Sequence, residues 1–361
     1  MSAECTNVDA PCVLLYCRSG FEKECSAEII QSAAALGIAG YVRTSDDSGV
    51  VTFQPYSEQD MDRIRQGLRF DRLVFARQLI FGLASDELLP AADRITPLLG
   101  RAMRLAPAFS ELMLETPDTN EGKALSPFVR KFSRPFLKAL EDRQLLGRPR
   151  SPRLHVLFLS ATRACVGMSM PGNSSAWPMG IPRLRFPAGA PSRSTLKLDE
   201  AFQVFVGDPE TDLRPGMTAV DLGAAPGGWT YQLVRRHIRT VAVDNGAMAP
   251  ALLESGIVEH QRADGFRYRP PRPVDWMVCD MVEQPTRIAD LMADWFARGD
   301  CRHAIVNLKL PMKKRHDMVR QCLSRVETRL REAGVRYHLQ CRQLYHDRAE
   351  VTVYLTGQCQ P

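Results

Sequence analysis

The stretch "DLGAAPGGWTYQL", residues 221–233, constrains the fold more than any other part of the sequence. It places Gly223, Gly227 and Gly228 between an apolar run, "TAVDLGA", and an amphipathic one, "WTYQLVRRHI". This order predicts a strand, a tight loop and a helix. Glycine lets the loop backbone come close to a ligand, so the stretch also predicts a binding site.

The residues after this loop continue to alternate between strand and helix patterns. The runs "TVAVDNG", "VEHQRADGF", "VDWMVCDMV" and "HAIVNLKLPM" are typical of strands, and they alternate with the helical patterns "APALLESG", "TRIADLMADWFARG" and "RHDMVRQCLSRVETRLREAG". Two further runs, "RYHLQCRQLYHD" and "AEVTVYLTG", indicate a closing hairpin. We therefore predict an α/β fold over residues 192–361: a Rossmann-like, doubly wound parallel sheet with an antiparallel last strand.

The N-terminal part has a different pattern. Residues 1–83 predict a βαββαβ order, which is typical of a small ferredoxin-like α/β domain, with Ser57 as a helix N-cap and one strand over 72–83. Residues 84–170 predict a second α/β domain with helical segments over 84–103 and 121–146 and a hairpin over 153–170. The proline-rich and glycine-rich segment 171–191 predicts a largely extended linker, although its Trp177 and Ile181 favour some packing.

Composition limits the possible classes of protein. The 361 residues are 45% hydrophobic and 24% charged, as in an ordinary soluble protein, and no run approaches the length of a membrane helix. We expect no signal peptide, because the first 20 residues have no basic start followed by a long apolar stretch. The cysteines form no CxxC pair, so we expect reduced thiols in a cytoplasmic protein and no metal site. They are Cys5, Cys12, Cys17, Cys25, Cys165, Cys279, Cys301, Cys322, Cys341 and Cys359.

The net charge of +6 permits nucleic-acid binding without requiring it. A helical stretch in the second predicted domain concentrates six basic residues: Lys123, Arg130, Lys131, Arg134, Lys138 and Arg143. Such a helix face either contacts phosphates or is simply solvated, and the sequence leaves both interpretations open.

The glycine loop excludes two common cofactors. It matches neither the GxGxxG pattern of dinucleotide-binding folds nor the GxxxxGK[ST] pattern of nucleoside-triphosphate sites. A cofactor without phosphates fits better, with Asp221 accepting from the ammonium group of a methionine-like tail, directly or through water. Asp244 and Asp264 end the next two predicted strands, where they could meet ribose hydroxyls and an adenine amino group. Together these residues predict S-adenosylmethionine, although each acid could instead cap the following turn.

Four polar residues interrupt or border apolar runs elsewhere in the same domain. They are Lys197 in "PSRSTLKLDEAF", Asp280 in "DWMVCDMVEQP", Lys309 in "NLKLPMKKR" and Glu350 in "AEVTVYL". We expect them to come from separate strands and to converge at one edge of the sheet. A buried lysine requires a partner, so the set predicts a catalytic cluster. An ordinary ion pair at the sheet edge, or a Lys309 chain that extends to solvent, is the alternative.

These motifs resemble the RNA 2'-O-ribose methyltransferases that carry a Lys-Asp-Lys-Glu tetrad and are related to the FtsJ heat-shock methyltransferase. More closely, the segments quoted above resemble the bacterial ribosomal large-subunit RNA methyltransferase M family. That resemblance implies that 1–83 is a ferredoxin-like domain, 84–170 a THUMP RNA-binding domain, 171–191 a linker and 192–361 the catalytic domain.

The resemblance also implies roles for individual residues. Lys197, Asp280, Lys309 and Glu350 would form the catalytic tetrad. The cofactor site would consist of Ser192, Asp221, Gly223, Ala225, Pro226, Gly227, Gly228, Asp244, Asp264 and Asp280. The implied substrate is a cytidine of 23S rRNA in the peptidyl-transferase region, in naked rRNA or in a large-subunit assembly intermediate. The basic helix and residues 313–320 are the candidate phosphate contacts, and we expect a monomer.

A ribose hydroxyl is a weak acid, so methyl transfer to it needs a base aligned with the oxygen. Lys309 would be that base, and we expect the nearby Lys197 and partial burial to depress its pKa. Asp280 would hold the amine, and Glu350 would hold Lys197 or the ribose, with the pairing left open. Two other functions are possible: methylation of a base or a protein nitrogen, against which "DMVEQP" argues because it lacks an Asn-Pro-Pro motif, and a non-catalytic RNA-binding assembly factor.

Overall fold

The computed structural model describes residues 9–85 and 87–357, so Cys5 and Cys359 lie outside the described residues. The chain divides into two compact units, one ending at Ile181 and the other beginning at Pro182. None of the helices within the described ranges is long and apolar enough to cross a membrane. The same ranges contain no group of His, Cys, Asp and Glu side chains arranged to hold a metal ion.

The first unit is built on one seven-stranded sheet in the order β2-β3-β1-β4-β7-β6-β5. Its strands are β1 Ala10–Tyr16, β2 Gly40–Thr44, β3 Val50–Pro55, β4 Gln78–Ala84, β5 Leu112–Glu115, β6 Arg153–Ser160 and β7 Arg163–Ser169. Its helices are α1 Glu22–Ala35, α2 Asp60–Gly67, α3 Ile95–Leu105, α4 Asn120–Ala124 and α5 Ser126–Asp142.

The predicted βαββαβ order is confirmed, with β1 pairing antiparallel to both β3 and β4. Two local predictions are wrong. Helix α2 begins at Asp60 rather than after Ser57, because the Ser57 carbonyl accepts from the Asp60 N–H in a preceding turn. The strand predicted over 72–83 begins only at Gln78, because the Glu28 carboxylate accepts from the backbone N–H groups of Val74 and Phe75 and removes them from the ladder.

The second half of this sheet contains the predicted hairpin of β6 and β7 and a strand that the sequence did not indicate, β5, parallel to β6. The helix predicted over 84–103 begins only at Ile95, where the Asp93 side chain accepts from the Ile95 and Thr96 N–H groups. Strand β7 pairs with β4, so the sheet is continuous and the predicted domain boundary after residue 83 falls within β4.

The linker segment is packed over its first half. Residues Pro178–Gly180 form a 3₁₀ turn, the side chains of Met179 and Ile181 are buried, and the Met179 N–H donates to Glu115 Oε1 at 2.5 Å. Gly180 has a φ of +69°, and a Cβ there would lie 1.9 Å from the Arg77 carbonyl oxygen, so this close approach requires glycine. The backbone from 171 to 181 is therefore part of the first unit rather than a free tether.

The second unit is built on a second seven-stranded sheet, in the order β10-β9-β8-β11-β12-β14-β13. Its strands are β8 Thr218–Leu222, β9 Arg239–Val243, β10 Val258–Gln261, β11 Val274–Cys279, β12 Cys301–Lys309, β13 Tyr337–Arg342 and β14 Glu350–Gly357. Its helices are α6 Thr195–Phe205, α7 Pro209–Asp212, α8 Gly228–Val234, α9 Pro250–Glu254, α10 Pro285–Ala297 and α11 Arg315–Glu332.

The first five of these strands run parallel, and β14 is antiparallel to β12 and β13, which confirms the predicted doubly wound sheet with its closing hairpin. Trp276 of β11 anchors the core and meets Phe202 of α6 edge-on at a centroid distance of 5.5 Å. Helix α6 is thereby fixed against the sheet. The eight cysteines within the described ranges are free, and burial raises the pKa of several of their thiols, as expected for small buried apolar side chains.

A candidate active site at the carboxyl edge of the second sheet

The four polar residues converge as predicted, but not all from strands. Asp280 follows β11 directly, Lys309 is the last residue of β12, and Glu350 is the first residue of β14, directly opposite Lys309 in the ladder. Lys197 lies in the first turn of helix α6, so the expectation of separate strands is wrong for this residue. We refer to Lys197, Asp280, Lys309 and Glu350 as the tetrad.

Each lysine of the tetrad contacts both carboxylates. Lys309 Nζ donates to Asp280 Oδ1 at 2.5 Å and to Glu350 Oε2. Lys197 Nζ lies 3.4 Å from Asp280 Oδ2 and also pairs with Glu350 Oε1. The pairing that the sequence left open is thus a closed alternating square, in which each carboxylate presents one oxygen to each lysine.

The side chains of the tetrad are mostly buried: the exposed fraction is 24% for Lys309 and 6% for Glu350. Burial lowers the pKa of Lys309, but the attraction of Asp280 and Glu350 outweighs it and holds that pKa above its ordinary value. For Glu350 the effect of burial is outweighed by the two lysines, and its pKa is lowered. The prediction that the Lys309 pKa is depressed is therefore wrong for the tetrad by itself. The two carboxylates raise that pKa by more than burial lowers it, even with the charge of Lys197 close by.

Helix α6 is clamped in place on two sides. The buried carboxylate of Glu200, one turn after Lys197, accepts from the Tyr345 and His346 N–H groups at 2.7 and 2.9 Å. On the other side, Gln232 of α8 donates to the Thr195 hydroxyl at 2.9 Å. Because the loop held by Glu200 leads into β14, the same contacts fix the separation of Lys197 and Glu350.

The glycines of the loop after β8 are required by close packing. Gly223 and Gly227 have φ values of +77° and +114°, which disfavour other residues. A Cβ at Gly228 would lie 2.2 Å from Ser194 Oγ and 2.3 Å from Ser192 Oγ. The predicted Ser192 therefore packs against the loop, where its hydroxyl is 2.7 Å from that of Ser194.

Asp221, at the end of β8, is a buried carboxylate with one unpartnered oxygen. Its Oδ2 accepts from the Thr230 hydroxyl at 2.6 Å, whereas Oδ1 has no hydrogen-bond partner among the described residues. Burial raises the pKa of Asp221 to about 7. A buried, orphaned acceptor beside a glycine loop fits a ligand that carries an ammonium group, and the donor set therefore suits the tail of S-adenosylmethionine.

Asp244 and Asp264 shape their own loops and also line a common cleft. Asp244 accepts from the Ala225 and Gly246 N–H groups at 3.0 and 2.7 Å, and Asp264 accepts from the Phe266 N–H at 2.8 Å. Both the capping and the binding interpretations of these acids thus have a structural basis.

The cleft has a volume of about 550 Å³ and includes five predicted cofactor residues: Gly223, Ala225, Asp244, Asp264 and Asp280. The other five do not line it: Ser192, Asp221, Pro226, Gly227 and Gly228. Asp280 belongs to both the cleft and the tetrad, so the two sites share a carboxylate. Phe266, Met281 and Glu283 also line the cleft and were not predicted, although each closely follows a strand end.

Comparisons with known proteins cover almost the whole chain. Three family models match: the RlmM ferredoxin-like domain over residues 10–80, the N-terminal domain of ribosomal RNA large subunit methyltransferase M over 93–170, and FtsJ-like methyltransferase over 190–311. Curated proteins named ribosomal RNA large subunit methyltransferase M from Methylococcus capsulatus and Cellvibrio japonicus are 59% and 52% identical. Each alignment covers 95% of this chain and at least 97% of the relative. Among solved structures, TrmN from Thermus thermophilus aligns with a TM-score of 0.34 at 16% identity, over 96% of this chain and all of that one.

The doubly wound sheet, the cleft at its carboxyl edge and the FtsJ-like match define an S-adenosylmethionine-dependent RNA methyltransferase. Its cofactor is S-adenosylmethionine and its substrate is RNA. More particularly, the chain belongs to the ribosomal RNA large subunit methyltransferase M family, because its relatives match it at 50–59% identity over nearly their full lengths.

Proposed function

We propose that this enzyme methylates the ribose 2'-hydroxyl of a cytidine in 23S rRNA, in the peptidyl-transferase region, with Lys309 as general base. The observation that carries the proposal is the closed Lys-Asp-Lys-Glu square next to the cofactor cleft. The relatives are named for large-subunit ribosomal RNA, which supports the substrate class. The 2'-hydroxyl, the cytidine and its region come from the resemblance of the motifs to that family.

Different cofactor residues would contact different parts of S-adenosylmethionine. Asp221 Oδ1, the orphaned acceptor behind the cleft lining, would accept from the ammonium group directly or through water, and the loop that begins at Gly223 would contact the methionine tail. Asp244 and Asp264 would meet the ribose hydroxyls and the adenine across the cleft. Ser192 would act indirectly, by holding the loop through its packing against Gly228.

When bound, S-adenosylmethionine supplies a methyl group that is already electrophilic. The tetrad therefore has two tasks, to align the acceptor oxygen and to accept its proton. Asp280 and Glu350 hold the Lys309 amine in one position, and Lys197 keeps both carboxylates in place between the two cations. Lys309 takes the hydroxyl proton only in its neutral form, so its raised pKa makes the reaction depend on pH.

The first unit would bind the RNA. All six basic side chains of the predicted helical stretch are exposed, on α4, on α5 and just beyond α5. We assign residues 1–83 to a ferredoxin-like domain and 84–170 to a THUMP domain, the two sharing one continuous sheet. Residues 171–191 are the connecting segment, which belongs to the first unit up to Ile181, and 192–361 form the catalytic domain. Exposed Lys313, Lys314 and Arg320 would add phosphate contacts in the catalytic domain. We propose a cytoplasmic monomer that acts on 23S rRNA or on a large-subunit assembly intermediate.

Removal of the Lys309 amine tests the proposal. We expect Lys309→Ala to reduce methyl transfer to unmodified 23S rRNA by a hundredfold to ten-thousandfold, roughly the contribution of a general base. The affinity for S-adenosylhomocysteine, measured by calorimetry, should change little, because Lys309 does not line the cleft. Lys23→Ala, an exposed lysine in the first unit, is the matched control. Full activity in Lys309→Ala would refute the assignment of the base.

A further inference from the structure

A chain of buried polar side chains leads away from the tetrad into the core of the second unit. Asn307 of β12 donates from Nδ2 to Asp280 Oδ1 at 3.2 Å. The hydroxyl of Thr352, on β14, lies 2.7 Å from Asn307 Oδ1 and 2.9 Å from Asp347 Oδ2. Asn307, Thr352 and Asp347 have no solvent exposure, so bulk water does not reach their polar atoms.

The number of available protons fixes which group donates in each hydrogen bond of this chain. A threonine hydroxyl carries one proton, so it cannot donate to both Asn307 and Asp347. The Asn307 amide has to donate towards the charged Asp280, and its carbonyl oxygen must then accept from Thr352. The short contact between Thr352 Oγ1 and Asp347 Oδ2 is favourable only if the carboxyl group supplies the proton.

The surroundings of Asp347 also favour its neutral form. Its Oδ1 is buried and has no partner among the described residues, which costs far less for a carbonyl oxygen than for half of a carboxylate. The charged groups that face it are acids, Glu350 of β14 and Glu200 of α6, and both oppose a second negative charge. Its Oδ2 also accepts from the Leu344 N–H at 3.0 Å. Burial and these two acids raise the pKa of Asp347 well above its ordinary value.

We propose that Asp347, Thr352 and Asn307 form a positioning chain in which a neutral Asp347 donates to Thr352, Thr352 to Asn307, and Asn307 to Asp280. This inference rests on the proposed function of the tetrad. The chain fixes the carboxylate of Asp280, which faces Lys309, Lys197 and the cofactor cleft. None of the three residues touches a reacting atom, so each acts through Asp280.

Two substitutions at Thr352 separate positioning from packing. Thr352→Val keeps the shape and removes the hydroxyl, whereas Thr352→Ser keeps the hydroxyl. We expect kcat for methyl transfer to fall about tenfold in Thr352→Val and to be largely restored in Thr352→Ser. The dissociation constant for S-adenosylhomocysteine should change less than kcat in both variants, because Thr352 does not line the cleft and reaches it only through Asp280.

The pH profile supplies a readout that loss of packing alone does not move. Asp280 raises the pKa of Lys309. Glu350, which pairs with Lys197, and Lys197 itself are the other charged groups around the Lys309 amine. If Thr352→Val releases Asp280, the Lys309 pKa falls, and the rising limb of kcat shifts to lower pH, by about half a unit. Equal kcat values and superimposable profiles for the two Thr352 variants would overturn the positioning chain.

Asp347 and the tetrad are tested separately. An infrared difference spectrum between wild type and Asp347→Asn at neutral pH should contain the carbonyl band of a protonated carboxyl group in wild type. A carboxylate signal there would overturn the neutral assignment even if Thr352→Val failed to fold. Lys309→Ala is assayed in parallel: if that variant is active, the proposed function fails, whereas an inactive Lys309→Ala beside a normal Thr352→Val refutes the positioning chain alone.

Discussion

The tetrad keeps four ionised side chains in a partly buried space without net charge. Removing one member leaves an uncompensated charge, which in such sites costs several kcal/mol. In the proposed mechanism Lys309 is the member that exchanges a proton, and two acids hold its pKa above the ordinary value. Catalysis by its neutral amine should therefore increase with pH until another step limits the rate.

Glu350→Gln tests this coupling. The substitution removes one of the two carboxylates that raise the pKa of Lys309, so that pKa falls and the neutral amine becomes available at lower pH. We expect the rising limb of the kcat profile to shift to lower pH by about one unit. Single-turnover rates across the pH range measure the shift, with Glu111→Gln in the first unit as the matched control. A limb that does not move would contradict a lysine base coupled to Glu350.

The tetrad residues could be picked out of the sequence because each one interrupts or borders an apolar run. The helical position of Lys197 was not, because "PSRSTLKLDEAF" gives no clear strand or helix pattern without the packing of Phe202 against Trp276. Asn307 and Asp347 were missed for another reason. Buried polar residues can be recognised in a sequence only when they break a pattern. The role of Asn307 and Asp347 depends on hydrogen bonds to residues on other elements, which the sequence does not show.

At the scale of elements, the loop between β8 and α8 is held by contacts that leave no room for a side chain. Gly228 is packed against the start of α6, and its absent Cβ faces Ser192 and Ser194. The loop therefore links the cofactor site to the helix that carries Lys197. The positive φ values of Gly223 and Gly227 allow the same close approach.

Gly228→Ala should disturb this link. A Cβ would overlap both serine hydroxyls and lie 3.2 Å from the Thr195 nitrogen, so α6 has to move. We expect a loss of about 1–3 kcal/mol in unfolding free energy and weaker binding of S-adenosylhomocysteine, measured by calorimetry. Gly100→Ala in α3 is the matched control: nothing lies within 4 Å of the new methyl group, so that variant should bind normally and gain about 0.5–1 kcal/mol. Normal cofactor binding by Gly228→Ala would contradict the tight loop.

Most strands and helices with a strong apolar periodicity were predicted. Two segments with weaker patterns, β5 and the residues before α3, show why the remaining predictions failed. Strand β5, "LMLE", is four residues long and has no alternation, so its pairing with β6 is a tertiary effect. The segment before α3 contains helix-forming residues, but its described residues are not helical, because the Asp93 side chain accepts from the Ile95 N–H and the helix begins there. In both places long-range or capping interactions override local propensity.

At the scale of the whole molecule, the first unit carries an exposed basic helix face, which is the proposed RNA-binding surface. Lys131→Glu on α5 should weaken binding to a 23S rRNA fragment several-fold at low salt and make the salt dependence about one unit shallower in a log–log plot. Fluorescence anisotropy measures both quantities. Lys23→Glu, an equal charge change on α1, should leave them nearly unchanged. Equal losses in the two variants would indicate a response to net charge rather than an RNA surface on α5.

The alternation of strands and helices predicted the fold of the second unit, because each parallel strand needs a crossover. The continuous sheet of the first unit was not predictable in the same way. Its joint pairs Gly82 of β4 with Gly167 of β7, and a Cβ at Gly82 would lie 2.7 Å from the Val166 carbonyl oxygen. Nothing local in either strand indicates that these two glycines, far apart in the chain, face each other.

We propose that this enzyme methylates a ribose 2'-hydroxyl of a 23S rRNA cytidine through Lys309. The most direct test is mass-spectrometric mapping of ribose methylation in rRNA from cells with and without the gene. Deletion should remove one 2'-O-methyl group from a cytidine in the peptidyl-transferase region, and wild-type protein should restore it while Lys309→Ala should not. An unchanged set of ribose methyl groups after deletion, or restoration by Lys309→Ala, would contradict the account.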